Sequence, residues 1–112
     1  MEENKSVEET EEKVAIVGSI MKIKLSKKIK FNDVEIREIN LDFGSLTGVD
    51  ICEAESNFRD RFYVPVPDAN YSFAYQAAVA AKASRLPYEL ILELNHRDFS
   101  AVTGATKGFL LG

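Results

Sequence analysis

Between Lys22 and Phe31 apolar and charged residues alternate, and the following segment repeats the alternation with its phase broken in the middle. Ile23, Leu25, Ile29 and Phe31 share one parity, and Lys22, Lys24, Lys28 and Lys30 share the other. A period of two is the mark of a strand with one dry and one wet face. Asn32-Asp33 supplies two residues that tolerate positive φ, as a tight hairpin turn requires. In the return segment, Val34 and Ile36 fall on even positions, whereas Ile39, Leu41 and Phe43 fall on odd ones. One extra residue near Arg37-Glu38, a β-bulge, restores a single apolar face. That register sets Phe31 against Val34, Ile29 against Ile36, Leu25 against Leu41 and Ile23 against Phe43. On the wet face it sets Lys30 against Glu35 and Lys24 against Asp42, each pair contributing about 0.2–1 kcal/mol. Val14 to Met21 forms a third strand or an extended lead-in.

Helical signals begin after Gly44-Ser45. Thr47 is a good N-cap, Asp50 makes a short-armed capping box, and Leu46 with Ile51 forms a hydrophobic staple. Ile51, Ala54 or Glu55, Phe58 and Phe62 follow helical spacing, with Cys52 read as a small buried hydrophobe beside them. The helix fades near Arg59 to Arg61, and Val64-Pro65-Val66-Pro67-Asp68 is a stiff, non-helical connector. A second helix spans about Tyr71 to Ser84. It is apolar nearly all round, so it is either central in the fold or shared with a second chain. Leu86-Pro87 ends it, and Tyr88, Leu90, Ile91, Leu92 and Leu94 make a short buried helix. Asn95, with Asp98 three residues on, caps a last helix striped by Phe99, Val102, Thr106 and Phe109. The expected fold class is α+β: an N-terminal antiparallel hairpin, with a possible third strand, followed by three to four helices.

Charge is unevenly placed. The formal charge of the 112 residues is −4. Residues 1–13 hold six Glu and two Lys, so the whole excess lies there and residues 14–112 balance. The expected organisation is therefore a disordered acidic leader over 1–13 and a single α+β domain over 14–112. A neutral body argues against electrostatic capture of nucleic acid or anionic membrane, and neither is expected as a partner. The leader lacks the basic-then-apolar order of a secretory signal, and Val14 to Met21 is far too short to span a bilayer.

Enzymatic signals are weak. One cysteine, Cys52, and one histidine, His96, cannot make a Cys/His zinc site or an internal disulfide. His96 stands at a helix start, where capping or exposure is the ordinary role. Gly104-Ala-Thr-Lys-Gly108 lacks the ending of a phosphate-binding loop and the strand that should precede it. No catalytic residue, cofactor or metal site is expected.

The order of parts nevertheless resembles a known family. The basic alternating strand with Leu25 and Ile29, the segment Leu46-Thr47-Gly48 with Asp50, the Ala-rich helix, Leu86-Pro87, and Asp98-Phe99 with Val102 together resemble the tail assembly chaperones of tailed bacteriophages and prophages. The resemblance covers about residues 20–110. It implies a non-enzymatic, homo-oligomeric protein of the host bacterial cytoplasm that is absent from the mature virion. Such a protein holds the long helical tape measure protein soluble while tail tube protein polymerises around it. The acidic leader departs from the shorter family pattern. Alternative readings are a small structural tail component and a protein–protein adaptor outside any phage. A chaperone needs apolar surface complementary to its client. The expected surface is Tyr71, Phe73, Tyr75 and Val79 of the Ala-rich helix with Phe99 and Val102 of the last, and the leader is expected to keep assemblies soluble by like-charge repulsion.

Overall fold

The computed structural model describes residues 14–63 and 65–112, so the leader 1–13 and the expectations placed on it lie outside the described residues, as does Val64. Three antiparallel strands come first: β1 (Val14–Val17), β2 (Ile20–Phe31) and β3 (Val34–Asp42), ordered β1-β2-β3. Four helices follow, α1 (Gly48–Arg61), α2 (Phe73–Ser84), α3 (Tyr88–Leu92) and α4 (His96–Leu111), with 3-10 turns at Phe43–Ser45 and Ala69–Tyr71. The α+β arrangement is the one expected, and the lead-in is a true strand. Gly18, at φ 63°, turns β1 into β2 in a conformation that L side chains rarely adopt. Asn32 and Asp33, at φ 54° and 64°, make the β2–β3 turn with both central residues left-handed.

Register follows the expectation at the tip and departs from it at the base. Phe31 pairs with Val34, Lys30 with Glu35 and Ile29 with Ile36. Nearer the base Ile23 lies opposite Ile39, Met21 opposite Leu41 and Lys24 opposite Glu38, rather than the expected Ile23–Phe43, Leu25–Leu41 and Lys24–Asp42. The irregularity lies in β2, between Lys24 and Ile29, and not at Arg37-Glu38 of β3. A physical reason is visible beneath it. Backbone N–H groups released from the ladder need acceptors, and those of Ser26 and Lys27 donate to the carboxylate of Asp98 at 2.8 and 3.3 Å. Asn95 Nδ2 adds a bond to Ser26 Oγ at 3.3 Å. Phe43 has left the strand and begins the first 3-10 turn.

Thr47 caps α1 with both halves of the capping box made, its Oγ1 accepting from Asp50 N and its own N–H donating to Asp50. The hydrogen bond from Thr47 N–H holds the Asp50 carboxyl below its ordinary value. Ala54 and Phe58 form the buried stripe of α1, but Cys52 is exposed, correcting its expected burial. At about 100° per residue, Cys52 is turned away from the Ala54–Phe58 stripe. The proline connector is non-helical over its described residues. Asp68 caps the 3-10 turn at Ala69 and Ser72 caps α2, so the helix opens slightly later than expected.

α2 is the centre of the molecule. It packs against α1, α3, α4 and β3, and its residues from Tyr75 to Ala81 are all buried. Alanine suits that position because a small side chain lets four neighbours approach one helix. Arg85, at φ 60°, ends it with a left-handed C-cap before Leu86-Pro87. One core cluster joins Ile23, Ile39, Leu41 and Phe43 to Ala77, Ala80, Ile91 and Val102; a second joins Ala54 and Phe58 to Tyr75, Ala78 and Val79.

Candidate interaction surface

The six residues expected to offer surface divide between interior and exterior. Val79 and Val102 are wholly buried and Tyr75 nearly so, each inside one of the two clusters. Burial also raises the Tyr75 hydroxyl above its ordinary pKa, with a further push from Glu55. These three side chains build the core and present nothing to a partner. Phe99 is half-buried against the first cluster. Tyr71 and Phe73 remain, 59% and 68% exposed.

Their positions are fixed by the entry to α2. Asp68 accepts from Asn70 N at 3.0 Å, and Gln76 Nε2 donates to Asn70 O at 2.7 Å, tying the 3-10 turn to the helix it precedes. Helix α4 packs beside that turn, and Lys107 Nζ lies 5.3 Å from the centroid of the Tyr71 ring. Such a cation–π contact at an exposed site contributes about 0.5–1 kcal/mol. Farther along α4, Phe109 stacks on Phe43 at 4.6 Å and 8° while remaining partly exposed, and Leu111 is exposed. Tyr71 and Phe73 are thus an exposed aromatic pair at the entry to α2 with one cation beside Tyr71, while Phe109 lies against Phe43 on another side of α4. The pair can bind an apolar helical face by burial. Signals for the part played by α4 were present in Lys107, Phe109 and Leu111, but only folding sets Lys107 beside Tyr71.

A second exposed aromatic group lies at the end of α1. Arg59, Phe62, Tyr63 and Pro65 line an open depression of about 300 Å³, with Tyr63 almost wholly in solvent. Behind it Tyr88 donates to Ala74 O at 2.6 Å, and burial pushes its hydroxyl up to about 12. His96 and Cys52 are both exposed. Among the described residues no group of three or more His, Cys, Asp and Glu is placed to hold a metal, and no helix is long and apolar enough to cross a membrane.

The sequence marks Asp98 as a capping residue and as part of the family resemblance, and gives it no role in the sheet. The residue is fully buried, and besides closing the first turn of α4 through Asn95 it anchors the β2 irregularity. The available signal was Lys27, a charge in the slot where the alternation calls for an apolar side chain.

No family model, no curated protein and no solved structure matches the chain.

Proposed function

We propose that the protein is a tail assembly chaperone of a tailed bacteriophage or prophage, binding the tape measure protein and keeping it soluble in the host cytoplasm during tail tube assembly. The family resemblance supplies the identity of the client. The observation that carries the binding role is the pair Tyr71 and Phe73, two large aromatic side chains left in solvent at the start of an otherwise buried helix. Burying one such side chain against a client is worth about 1.5–3 kcal/mol, enough for several copies together to hold a long apolar helix in solution. Self-association of the chaperone belongs to the same reading, since repeated copies match a repetitive client.

The test is co-expression with a phage tape measure protein, the client that the proposal names. The expected result is a soluble client with the wild-type chain, and an aggregated client with the Tyr71→Ser/Phe73→Ser double variant. A client equally soluble with and without this chain overturns the proposal. A small structural tail component is the second reading, favoured by a sheet whose two outer edges are open among the described residues. Recovery of the chain in stoichiometric amount from purified particles would decide for it.

A further inference from the structure

Within the buried stretch of α2 from Tyr75 to Ala81, one primary amide interrupts the apolar side chains. Gln76 is 1% exposed, yet only half of its amide is used. Nε2 donates to Asn70 O at 2.7 Å, while Oε1 has no hydrogen-bond partner among the described residues. An acceptor buried without a donor gives up water for nothing, and that penalty offsets the one bond that is made. For stability alone, an apolar side chain of the same length would serve this core as well. Thr103 and Thr106, equally buried in α4, show the ordinary solution, since their hydroxyls donate to carbonyls of their own helix. Gln76 instead reaches out of its helix, six residues back.

What it reaches is the peptide group that carries Tyr71. Asn70 O and Tyr71 N belong to one planar unit. The N–H side of that unit donates to Asp68 O at 3.1 Å, and the carbonyl side accepts from Gln76. Pinned at both ends, the plane cannot turn about its flanking bonds without breaking a hydrogen bond, and its orientation aims the Tyr71 side chain. The Asp68 bond belongs to a 3-10 turn, whose hydrogen-bond geometry is the poorer kind. The Gln76 bond ties that turn to a rigid, buried helix. Lys107, 5.3 Å from the Tyr71 ring centroid, is the other neighbour, and one surface cation–π contact is too weak to fix a ring by itself.

We propose that Gln76 is a positioning residue for the interaction surface, holding the Asn70–Tyr71 peptide so that Tyr71 stands beside Lys107 before any client arrives. The positioning follows from the hydrogen bonds; its value for binding rests on the reading of Tyr71 and Phe73 as the client surface. A side chain already held in its bound orientation loses less freedom on association.

The experiment compares the full wild-type chain with Gln76→Met and Gln76→Leu, which fill the site without a donor. The first readout needs no client: the NMR shift of the Lys107 ε-methylene protons, which senses the Tyr71 ring current, together with the thermal melt. In the wild type these protons should lie upfield of their position in Tyr71→Ala. In the Gln76 variants they should move to that position while the melting temperature holds or rises. Thr103→Val, a buried polar deletion that leaves the tie intact, should not move them. The second readout is affinity for a purified tape measure segment, expected to fall about 2–10-fold in Gln76→Met, the range one hydrogen bond's worth of lost pre-orientation predicts. Tyr71→Ala should weaken the wild type but add little to Gln76→Met. An unmoved Lys107 shift in the folded Gln76 variants overturns the proposal. A melt lowered in both variants overturns it as well, by making Gln76 a support of the fold. A moved shift with no binding of the segment even by the wild type upholds the positioning and overturns the client reading instead.

Discussion

The base and the tip of the β2–β3 hairpin are built from the same residue types and have different fates. At the base Ile23, Ile39 and Leu41 are essentially inaccessible, covered by α2 and α4. At the tip Phe31 and Ile36 are half-buried and Val34 is 61% exposed, although Val34 stands squarely opposite Phe31. Cross-strand pairing is satisfied in both halves, so pairing is not what separates them. The difference is a second layer. A strand pair stabilises a domain chiefly through what lies over its apolar face, and a two-stranded ribbon alone is marginal in water. The base is therefore core, and the tip is an appendage held by its turn and its ion pairs.

That contrast can be broken most sharply at the base. Replacing Ile39 by Ala should cost about 2–5 kcal/mol, as expected for a large-to-small change in a closed core. Val34→Ala at the tip should cost under about 0.5 kcal/mol. Urea titrations of the two variants compare them directly; equal losses would show that the tip shares the core. The boundary between the halves is tested by Asp98→Ala, which leaves the Ser26 and Lys27 N–H groups without their acceptor while the Asn95 cap of α4, accepting from the backbone N–H of residue 98, stays in place. The expected loss is about 2–4 kcal/mol, with amide exchange accelerating first around Ser26. The smallest effect belongs to the tip itself. The hydrogen bond from Lys28, helped by Arg37, holds the Glu35 carboxyl below its reference of 4.5. A depressed carboxylate pKa means the ion pairs contribute above that reference and are lost as pH falls through the folded value. Carboxyl NMR titration should find the Glu35 midpoint below 4.5, moving up in Lys28→Ala.

Much of the architecture was legible because it is written in local chemistry. The Asn32-Asp33 turn, the Thr47–Asp50 box, the Leu86-Pro87 stop and the Asn95 cap each depend on residues within a few positions of one another. What was not legible depends on distance in sequence. The phase break of the hairpin demanded an odd number of additional residues, but it did not say in which strand. The choice is made by Asp98, which lies 72 residues beyond Ser26. The division of the expected interaction surface between core and exterior has the same cause. Aromatic and small residues on one helix look alike whether they meet a neighbour or solvent, and only the placement of α1, α3 and α4 around α2 shows that Tyr75, Val79 and Val102 are core.

The Asp98 clasp also has a bearing on how the chain is made. The hairpin leaves the ribosome before α4, with its Ser26 and Lys27 amides awaiting a partner that is translated 72 residues after Ser26. At roughly 5–20 residues per second that interval lasts about 4–14 s, long compared with the microseconds in which a hairpin forms. For that time the nascent strand pair is an unfinished object whose irregular stretch is satisfied only by water. Arrival of α4 supplies the Asp98 acceptor, so a helix made later completes strands made before it.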